Sequence, residues 1–466
     1  MSFLSIEFWA VFPLFLCVYW LFARRPDVQN PLLLAAGYGI LVAFDFRFAL
    51  FLAFYTLAIH LLSLLIHKTP RKKPVFAGAI AFCVSFLALL KYNDFFRDAL
   101  QTLVAHIGYD LALPGVELIV PLGVSFYTLQ SITYLVSVRR RELAPGSLAE
   151  TALFLSFFPS LVSGPINRAR DLLPWIRSLS PRKLVDPCRA FALLLLALVK
   201  VLWLGAALSE AWVKPVFDNA SAFHSLDVLL AVYAYALHLY LNFSGYTDLV
   251  TAIALLLGFN LPVNFDAPYL APSLRDFWRR WHMSLSFFMR DYVYIPLGGS
   301  RGSFTRAQFN LMATMLVSGL WHGASANFLV WGTIHGIGLV VSGVLRRISG
   351  KPLVANKLIA TLLTFHYVCF AWIFFRCPTL ADALDVLQAL CANFDAAPLR
   401  FNAFLYLGAF ALAFAVYPWA RRWPDAAAEK LRRMHWGLRP LVLGVFAWVV
   451  VTVSPSGIPE FIYATF

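Results

Sequence analysis

Charge is scarce in this sequence. Only 13% of its 466 residues are Asp, Glu, Lys or Arg, about half the share of a soluble globular domain. Acidic residues are the scarcer kind, 24 against 38 basic, which leaves a formal charge of +14. Six cysteines, Cys17, Cys83, Cys188, Cys369, Cys377 and Cys391, lie scattered without a CxxC pair. That spacing excludes a disulfide framework and a zinc site, and the thiols read as small buried hydrophobes. No HExxH, no GxSxG elbow and no Walker A loop is present, so a metalloprotease, a serine hydrolase and a P-loop nucleotidase lack their required residues. A cleaved secretory leader carries its basic residues before its apolar run. Here Glu7 precedes the first run and Arg24-Arg25 follow it, which predicts a retained first helix with its N-terminus outside.

What fills the chain is apolar: 61% of residues are hydrophobic and 16% are aromatic. A membrane-crossing helix needs about 20 apolar residues. Segments 3–22, 48–67, 74–92, 116–138, 190–213, 224–242, 325–345, 356–375, 401–419 and 440–456 qualify. Segments 31–44, 149–165, 246–260 and 308–320 are shorter or broken. The fold class expected is therefore an all-α polytopic membrane protein with roughly 11–13 transmembrane helices plus re-entrant and interfacial helices. Basic residues cluster between the apolar segments, at Arg71-Lys72-Lys73, Arg139-Arg140-Arg141, Arg279-Arg280, Arg346-Arg347 and Arg432-Arg433. This is the distribution the positive-inside rule produces, and it places both termini outside. No basic face is interleaved with polar structure to hold a phosphate backbone, so nucleic acid is excluded as a partner.

Two stretches read as interfacial rather than spanning. Residues 95–113 mix Phe95, Phe96, Leu100 and Leu103 with Arg97, Asp98 and His106. Residues 274–291 place Leu274, Phe277, Trp278, Trp281, Leu285 and Phe288 on one face at helical spacing, with Arg275, Asp276, Arg279 and Arg280 on the other. The pattern predicts a basic amphipathic helix, an Asp276–Arg280 pair one turn apart, and Trp278, His282 and Ser286 on one line. The segments 379–400 and 421–436 read as polar loops, and Gly298-Gly299-Ser300-Arg301-Gly302 as a turn.

Ionisable residues at membrane depth are costly and therefore point to function. His322, in Ser318-Gly319-Leu320-Trp321-His322-Gly323, follows the short segment 308–320. Gly319 and Gly323 flank it, and a helix broken at that depth has to line an internal cavity or be buried in protein. His282 is the second candidate. His335, His238 and His366 also lie in apolar runs, where a satisfied packing role is the simpler reading. Imidazole titrates near neutrality and is the usual general base, so an acceptor hydroxyl activated for attack on a thioester fits these residues. A transporter of glycan or lipid is the competing class; it predicts two repeated halves, and no repeat is visible.

With His282 and His322 singled out, the sequence resembles the membrane-bound O-acyltransferase (MBOAT) family, and within it the alginate O-acetyltransferase branch. The resemblance rests on Tyr240-Leu-Asn-Phe-Ser-Gly-Tyr-Thr-Asp248, Asn264-Phe-Asp-Ala-Pro-Tyr269, Phe277-Trp-Arg-Arg-Trp-His-Met-Ser-Leu-Ser286, Arg290-Asp-Tyr-Val-Tyr-Ile-Pro-Leu-Gly-Gly299, Gly319-Leu-Trp-His-Gly323 and Trp331-Gly-Thr-Ile-His-Gly336, all in the same order. Weaker matches are Lys91-Tyr92-Asn93, Val120-Pro-Leu-Gly-Val-Ser-Phe-Tyr127, Phe157-Phe-Pro-Ser-Leu-Val-Ser-Gly-Pro165 and Phe461-Ile-Tyr463. It implies one membrane domain over 1–466, with a core at about 90–345, N-terminal helices 1–90 and C-terminal helices 346–466, around a central tunnel. It implies catalysis by His322 and His282, the former as base and the latter toward the donor. Asn242, Ser244, Tyr246, Asp248, Trp278, Ser286, Trp321 and His335 would line the substrate path, and Arg279 and Arg280 would attract the donor's phosphate. No bound cofactor or metal is implied; the co-substrate is an acyl thioester, acetyl-CoA or a carrier protein. Periplasmic acetyltransferase-type proteins and membrane lipid are the implied partners, and the bacterial inner membrane the location. Related branches acetylate peptidoglycan or cellulose, transfer D-alanine to teichoic acid, or acylate lipids or proteins. Asn242 departs from the branch, which usually has Asp there, and so removes one charge beside Ser244.

Overall fold

A computed structural model describes residues 3–70, 72–109, 119–350, 354–394, 403–420 and 422–455. Every regular element among them is helical. Among the described residues, eight helices are long and apolar enough to cross a membrane: Pro26–Phe44, Phe46–Lys68, Lys73–Asn93, Pro187–Asp218, Ser225–Leu256, Ala326–Ser349, Lys357–Arg376 and Trp436–Val453. Glu7–Leu21, Leu148–Ser160 and Leu405–Trp419 are shorter apolar helices. The protein is a multi-pass membrane protein. The helix Phe46–Lys68 shows why the solvent is lipid. Its residues Leu50, Phe54, Leu57, Leu61 and Leu65 are exposed, while Leu52, Tyr55, Ile59, Ser63 and Ile66 are buried. Both faces are apolar, and only the outer one lacks protein against it; in water such a stripe would be an aggregation surface.

The helices group into two compact units, one of residues up to Val185 with Ile253–Pro262, the other of Asp186–Ala252 and the residues from Val263 onward. The first unit holds α1 (Ile6–Leu21), α2 (Pro26–Phe44), α3 (Phe46–Lys68), α4 (Lys72–His106), α5 (Val124–Arg139), α6 (Leu148–Leu155) and α7 (Ala169–Arg177). Polar side chains stitch it at buried points. The Tyr19 hydroxyl donates to the Leu257 carbonyl at 2.9 Å and accepts from Arg182 at 3.2 Å, and Tyr134 accepts from the Gly146 amide at 2.8 Å.

The second unit begins with α8 (Pro187–Asp218), interrupted by π-helical turns at Val199–Gly205 and Ser209–Val213. It continues with α9 (Ser225–Leu256), whose last turn belongs with the first unit, then α10 (Leu274–Arg280), α11 (Met283–Phe288), α12 (Phe304–His322), α13 (Ala326–Ser349), α14 (Lys357–Arg376), α15 (Leu380–Ala392), α16 (Ala403–Ala420), α17 (Trp423–Arg433) and α18 (Arg439–Val453).

Several sequence expectations are corrected. Residues 95–106 do not form a separate interfacial helix: α4 runs unbroken to His106, with no Pro or Gly after Gly78 to stop it. The rest of that segment, 110–113, lies outside the described residues. Segments 224–242 and 246–260 are one helix, α9, since the single Gly245 between them is packed rather than hinged. The segment 308–320 belongs to a 19-residue helix, α12, which spans about 28 Å at the ordinary helical rise. Residues 380–392 are not a loop but α15, opened by a capping box of Thr379 and Asp382. Within 421–436, α17 lays Ala428 and Leu431 against Cys188 and Ala192 of α8.

Candidate active site

The stretch 274–291 departs most from its periodicity, and that departure builds the site. No single amphipathic helix exists there. α10 stops at Arg280, and α11 starts after His282, whose backbone is left-handed at φ 41°, ψ 56°. A non-glycine residue there carries about 1–2 kcal/mol of strain, so other contacts hold it. The Met283 amide donates to the Asn264 carbonyl at 2.9 Å, and the Asp266 amide to the Arg280 carbonyl at 3.0 Å. The Asn264 side-chain oxygen accepts from the Ser284 amide at 3.1 Å and the Ser284 hydroxyl at 2.8 Å. It also lies 3.2 Å from His282 Nδ1.

That network assigns the histidine tautomer. A backbone amide only donates, so the Asn264 atom facing Ser284 is its oxygen. The same oxygen then requires His282 Nδ1 to carry the proton, and Nε2 keeps the lone pair. The break also re-aims the side chains. Phe277, Trp281, His282 and Leu285 are all buried, so the aromatic stripe faces protein. The Ser286 amide donates to the His282 carbonyl at 2.9 Å, and its hydroxyl turns back to the Trp281 carbonyl at 3.0 Å. The Asp276–Arg280 pair forms as expected at 2.8 Å, and Arg279 is exposed.

His322 is the last residue of α12, and Gly323 ends the helix in extended conformation. α12 and α13 form a hairpin crossed at glycines. A Cβ on Gly319 would run into the Phe328 carbonyl, and one on Gly332 would lie 2.6 Å from the Met315 carbonyl. Small residues at such a crossing let two backbones meet. The hairpin seats the His322 ring edge-on to Trp331 at 4.9 Å and to Phe375 at 5.1 Å, with Phe328 stacked at 6.2 Å. The ring is 3% exposed.

Trp321 joins the two histidines. Its indole lies 4.9 Å from the His322 ring and 6.1 Å from the His282 ring. One indole therefore contacts two buried imidazoles from different elements. Phe243 of α9 closes the other side of His282, edge-on at 4.7 Å. Trp278 packs on Trp331 at 5.7 Å and on His335 at 5.0 Å. His335 is fully buried, and neither ring nitrogen has a hydrogen-bond partner among the described residues. By contrast, His238 donates from Nδ1 to the Gly205 carbonyl at 2.8 Å, and His366 accepts from Tyr233 at 2.7 Å, so both are satisfied packing residues. Asn242, Ser244 and Tyr246 are buried on α9. Asp248 lies elsewhere on that helix, paired with Lys200 at 2.6 Å. The glycine-rich run 298–302 forms turns, and Asn310 donates to the Gly299 carbonyl at 3.0 Å. No group of His, Cys, Asp and Glu among the described residues gathers to hold a metal.

Sequence reasoning missed Asn264, Phe243 and Lys200. Asn264 stood in a quoted motif, but its role depends on a fold-back across 18 residues of sequence. Lys200 had a readable signal, a lone cation in the apolar run 190–213.

Two buried imidazoles from different elements thus lie against one indole in a helical membrane protein. Comparison with known sequences names its class. The chain matches, over residues 120–380, the family described as MBOAT, membrane-bound O-acyltransferase family. It is 33% identical to the probable alginate O-acetylase AlgI of Pseudomonas aeruginosa, covering 81% of this chain and 72% of that one. It is 33% identical to the peptidoglycan O-acetyltransferase of Helicobacter pylori, over 66% of this chain and 62% of the relative. It is 29% identical to the teichoic acid D-alanyltransferase of Streptococcus thermophilus, over 54% and 68%. The chain belongs to the MBOAT family and is an O-acyltransferase. Family membership removes the transporter-only reading.

Proposed function

We propose that this protein, in the bacterial inner membrane, takes acetyl groups from a cytoplasmic thioester and passes them outward for O-acetylation of a cell-surface polysaccharide. The observation that carries the reading is the His282–Trp321–His322 arrangement, two buried imidazoles in contact with one indole. A reaction between partners arriving from opposite sides needs two such stations. The Pseudomonas and Helicobacter relatives, named for O-acetylation, support an acetyl donor and a glycan acceptor.

In this mechanism the acceptor hydroxyl approaches His322. Its oxygen attacks the thioester carbonyl while His322 takes the hydroxyl proton. The carbon–sulfur bond then breaks, the sulfur recovers that proton as a thiol, and the acetyl ester leaves with the acceptor. His282 meets the donor. Asn264 holds its Nδ1 proton, so Nε2 faces the reaction as an acceptor, able to orient a donor N–H or a water. The aromatic walls at Trp331, Phe328 and Phe375 keep water from the thioester and favour transfer over hydrolysis. Asn242, Ser244, Tyr246, Trp278 and His335 line the path between the two stations. Exposed Arg279, with Arg280, draws in the phosphate of acetyl-CoA or of a carrier's phosphopantetheine. Periplasmic acetyltransferase partners receive the group on the far side.

The test compares ester-linked acetate on surface polysaccharide between wild type and His322→Ala at matched membrane abundance. Loss of acetate is expected. Unchanged acetate would remove His322 as the base. A second reading, D-alanyl transfer, has the teichoic acid relative in its favour. Ester-linked D-alanine measured in the same extracts separates the two.

A further inference from the structure

We propose that the ion pair Lys200–Asp248 is a positioning device: it fixes α9 against α8 and so seats Phe243 on His282. The proposal rests on the acyl-transfer reading above. Both residues lie away from the ends of helices long and apolar enough to cross a membrane, Lys200 in Pro187–Asp218 and Asp248 in Ser225–Leu256. A charge at that depth is retained at a cost and calls for a purpose. The contact is direct, Nζ to Oδ2 at 2.6 Å, and Lys200 also lies 5.9 Å over the Tyr240 ring.

The pair sits where α8 is irregular. Lys200 lies in the π-helical turns Val199–Gly205. A π turn changes the rotation of everything beyond it, and such turns recur at functional sites. α9 is fastened to this irregular stretch at three points. His238 donates to the Gly205 carbonyl at 2.8 Å. Gly245 brings the backbones together, for a Cβ there would lie 2.5 Å from Val201 Cγ2 and 3.1 Å from Lys200 Cβ. Asp248 binds Lys200. Positions 238, 245 and 248 share one side of a helix.

The opposite side of α9 builds the active site. The Ala236 carbonyl accepts from Tyr269 at 2.7 Å. Tyr240 packs 6.4 Å from Trp281, and Phe243 packs 5.0 Å from Phe265 and 4.7 Å from His282. Positions 236, 240 and 243 share that side. A rotation or slip of α9 on α8 is therefore delivered to Phe243. His282 is sensitive to it, because its left-handed backbone persists only while its surroundings hold it. Neither charge touches His282 or His322; both act through α9, Lys200 also through the Tyr240 ring above which it lies.

The test uses the full-length protein in membranes, with acetyl-CoA consumption as readout. Asp248→Asn should lower kcat by on the order of 10- to 100-fold, the effect of a small misplacement of a reacting group, with KM for the donor unchanged. The exchanged pair Lys200→Asp with Asp248→Lys should recover most of the rate. Gly245→Ala leaves both charges in place but pushes α9 from Val201, and should lower kcat in the same way. Adding Val201→Ala should restore it, and this route serves if the charge variants fail to accumulate. A kcat for Asp248→Asn within twofold of wild type would overturn the proposal. So would a raised KM at normal kcat, which would put the pair on the substrate. Failure of both the exchange and the Gly245→Ala/Val201→Ala rescue would do the same. If wild type consumes no thioester, the acyl-donor reading fails first, and the two failures stay distinct.

Discussion

Replacing Asn264 by Ala tests the logic of the site more sharply than removing either histidine. The side-chain oxygen accepts from three donors: the Ser284 amide, the Ser284 hydroxyl and His282 Nδ1. The Ser284 hydroxyl can turn elsewhere, but the amide and the imidazole N–H cannot leave their positions. Each buried donor so stranded costs about 1–3 kcal/mol, so the substitution should destabilise the native arrangement by roughly 2–6 kcal/mol. The left-handed His282 also loses a support, and its proton is free to move to Nε2, which removes the lone pair from the reaction side. Where that cost falls on the turn at His282 itself, at about 1.4 kcal/mol per factor of ten, the lower bound corresponds to more than a tenfold loss of transfer. Thermal unfolding in detergent and thioester consumption, measured on one preparation, should both fall. Asn264→Asp keeps the acceptor oxygens and should retain the fold, with unfolding close to wild type. The reasoning is refuted if Asn264→Ala keeps activity and unfolding temperature near wild type, because the tautomer assignment and the account of the strained turn would then both be wrong.

Gly332→Ala places a methyl group 2.6 Å from the Met315 carbonyl, and backbone cannot yield as a side chain can. Overpacking of this kind costs about 1–3 kcal/mol, visible as a lower unfolding temperature and a lower transfer rate. Arg432→Ala breaks contacts with Asp186 and Glu429 at the surface; exposed pairs contribute little, so thermal unfolding and transfer should both match wild type.

How much of this was legible in the sequence depends on what each residue answers to. Spanning helices respond to their own composition, so α3, α13 and α14 were readable from hydropathy. Chain breaks were less so. The aromatic spacing from Leu274 to Phe288 satisfies a helical period, yet the chain turns at His282 because Asn264 and Ser284 supply hydrogen bonds that no local pattern records. Gly245 misled in the opposite direction: glycine reads as a helix breaker, but here it admits α8 and the helix continues. The two histidines were found because polar residues at membrane depth stand out. Their connection through Trp321 was not, since it depends on how α12 packs against a turn some forty residues earlier. Lys200 and Asp248 were each visible, but their pairing is a property of the folded hairpin alone.

The crossing of α12 and α13 at Gly319 and Gly332 has a mechanical side. With no side chain between the backbones at that point, the separation of the two helices is fixed by peptide groups, which have no alternative rotamers. The pair should behave as a single stiff plate. When the bilayer thins or thickens, a stiff plate tilts as a whole rather than shearing along its seam. His322 and Trp331, one from each helix, would then keep their 4.9 Å spacing in membranes of different lipid composition, and the chemistry would be insulated from the thickness of the medium that holds it.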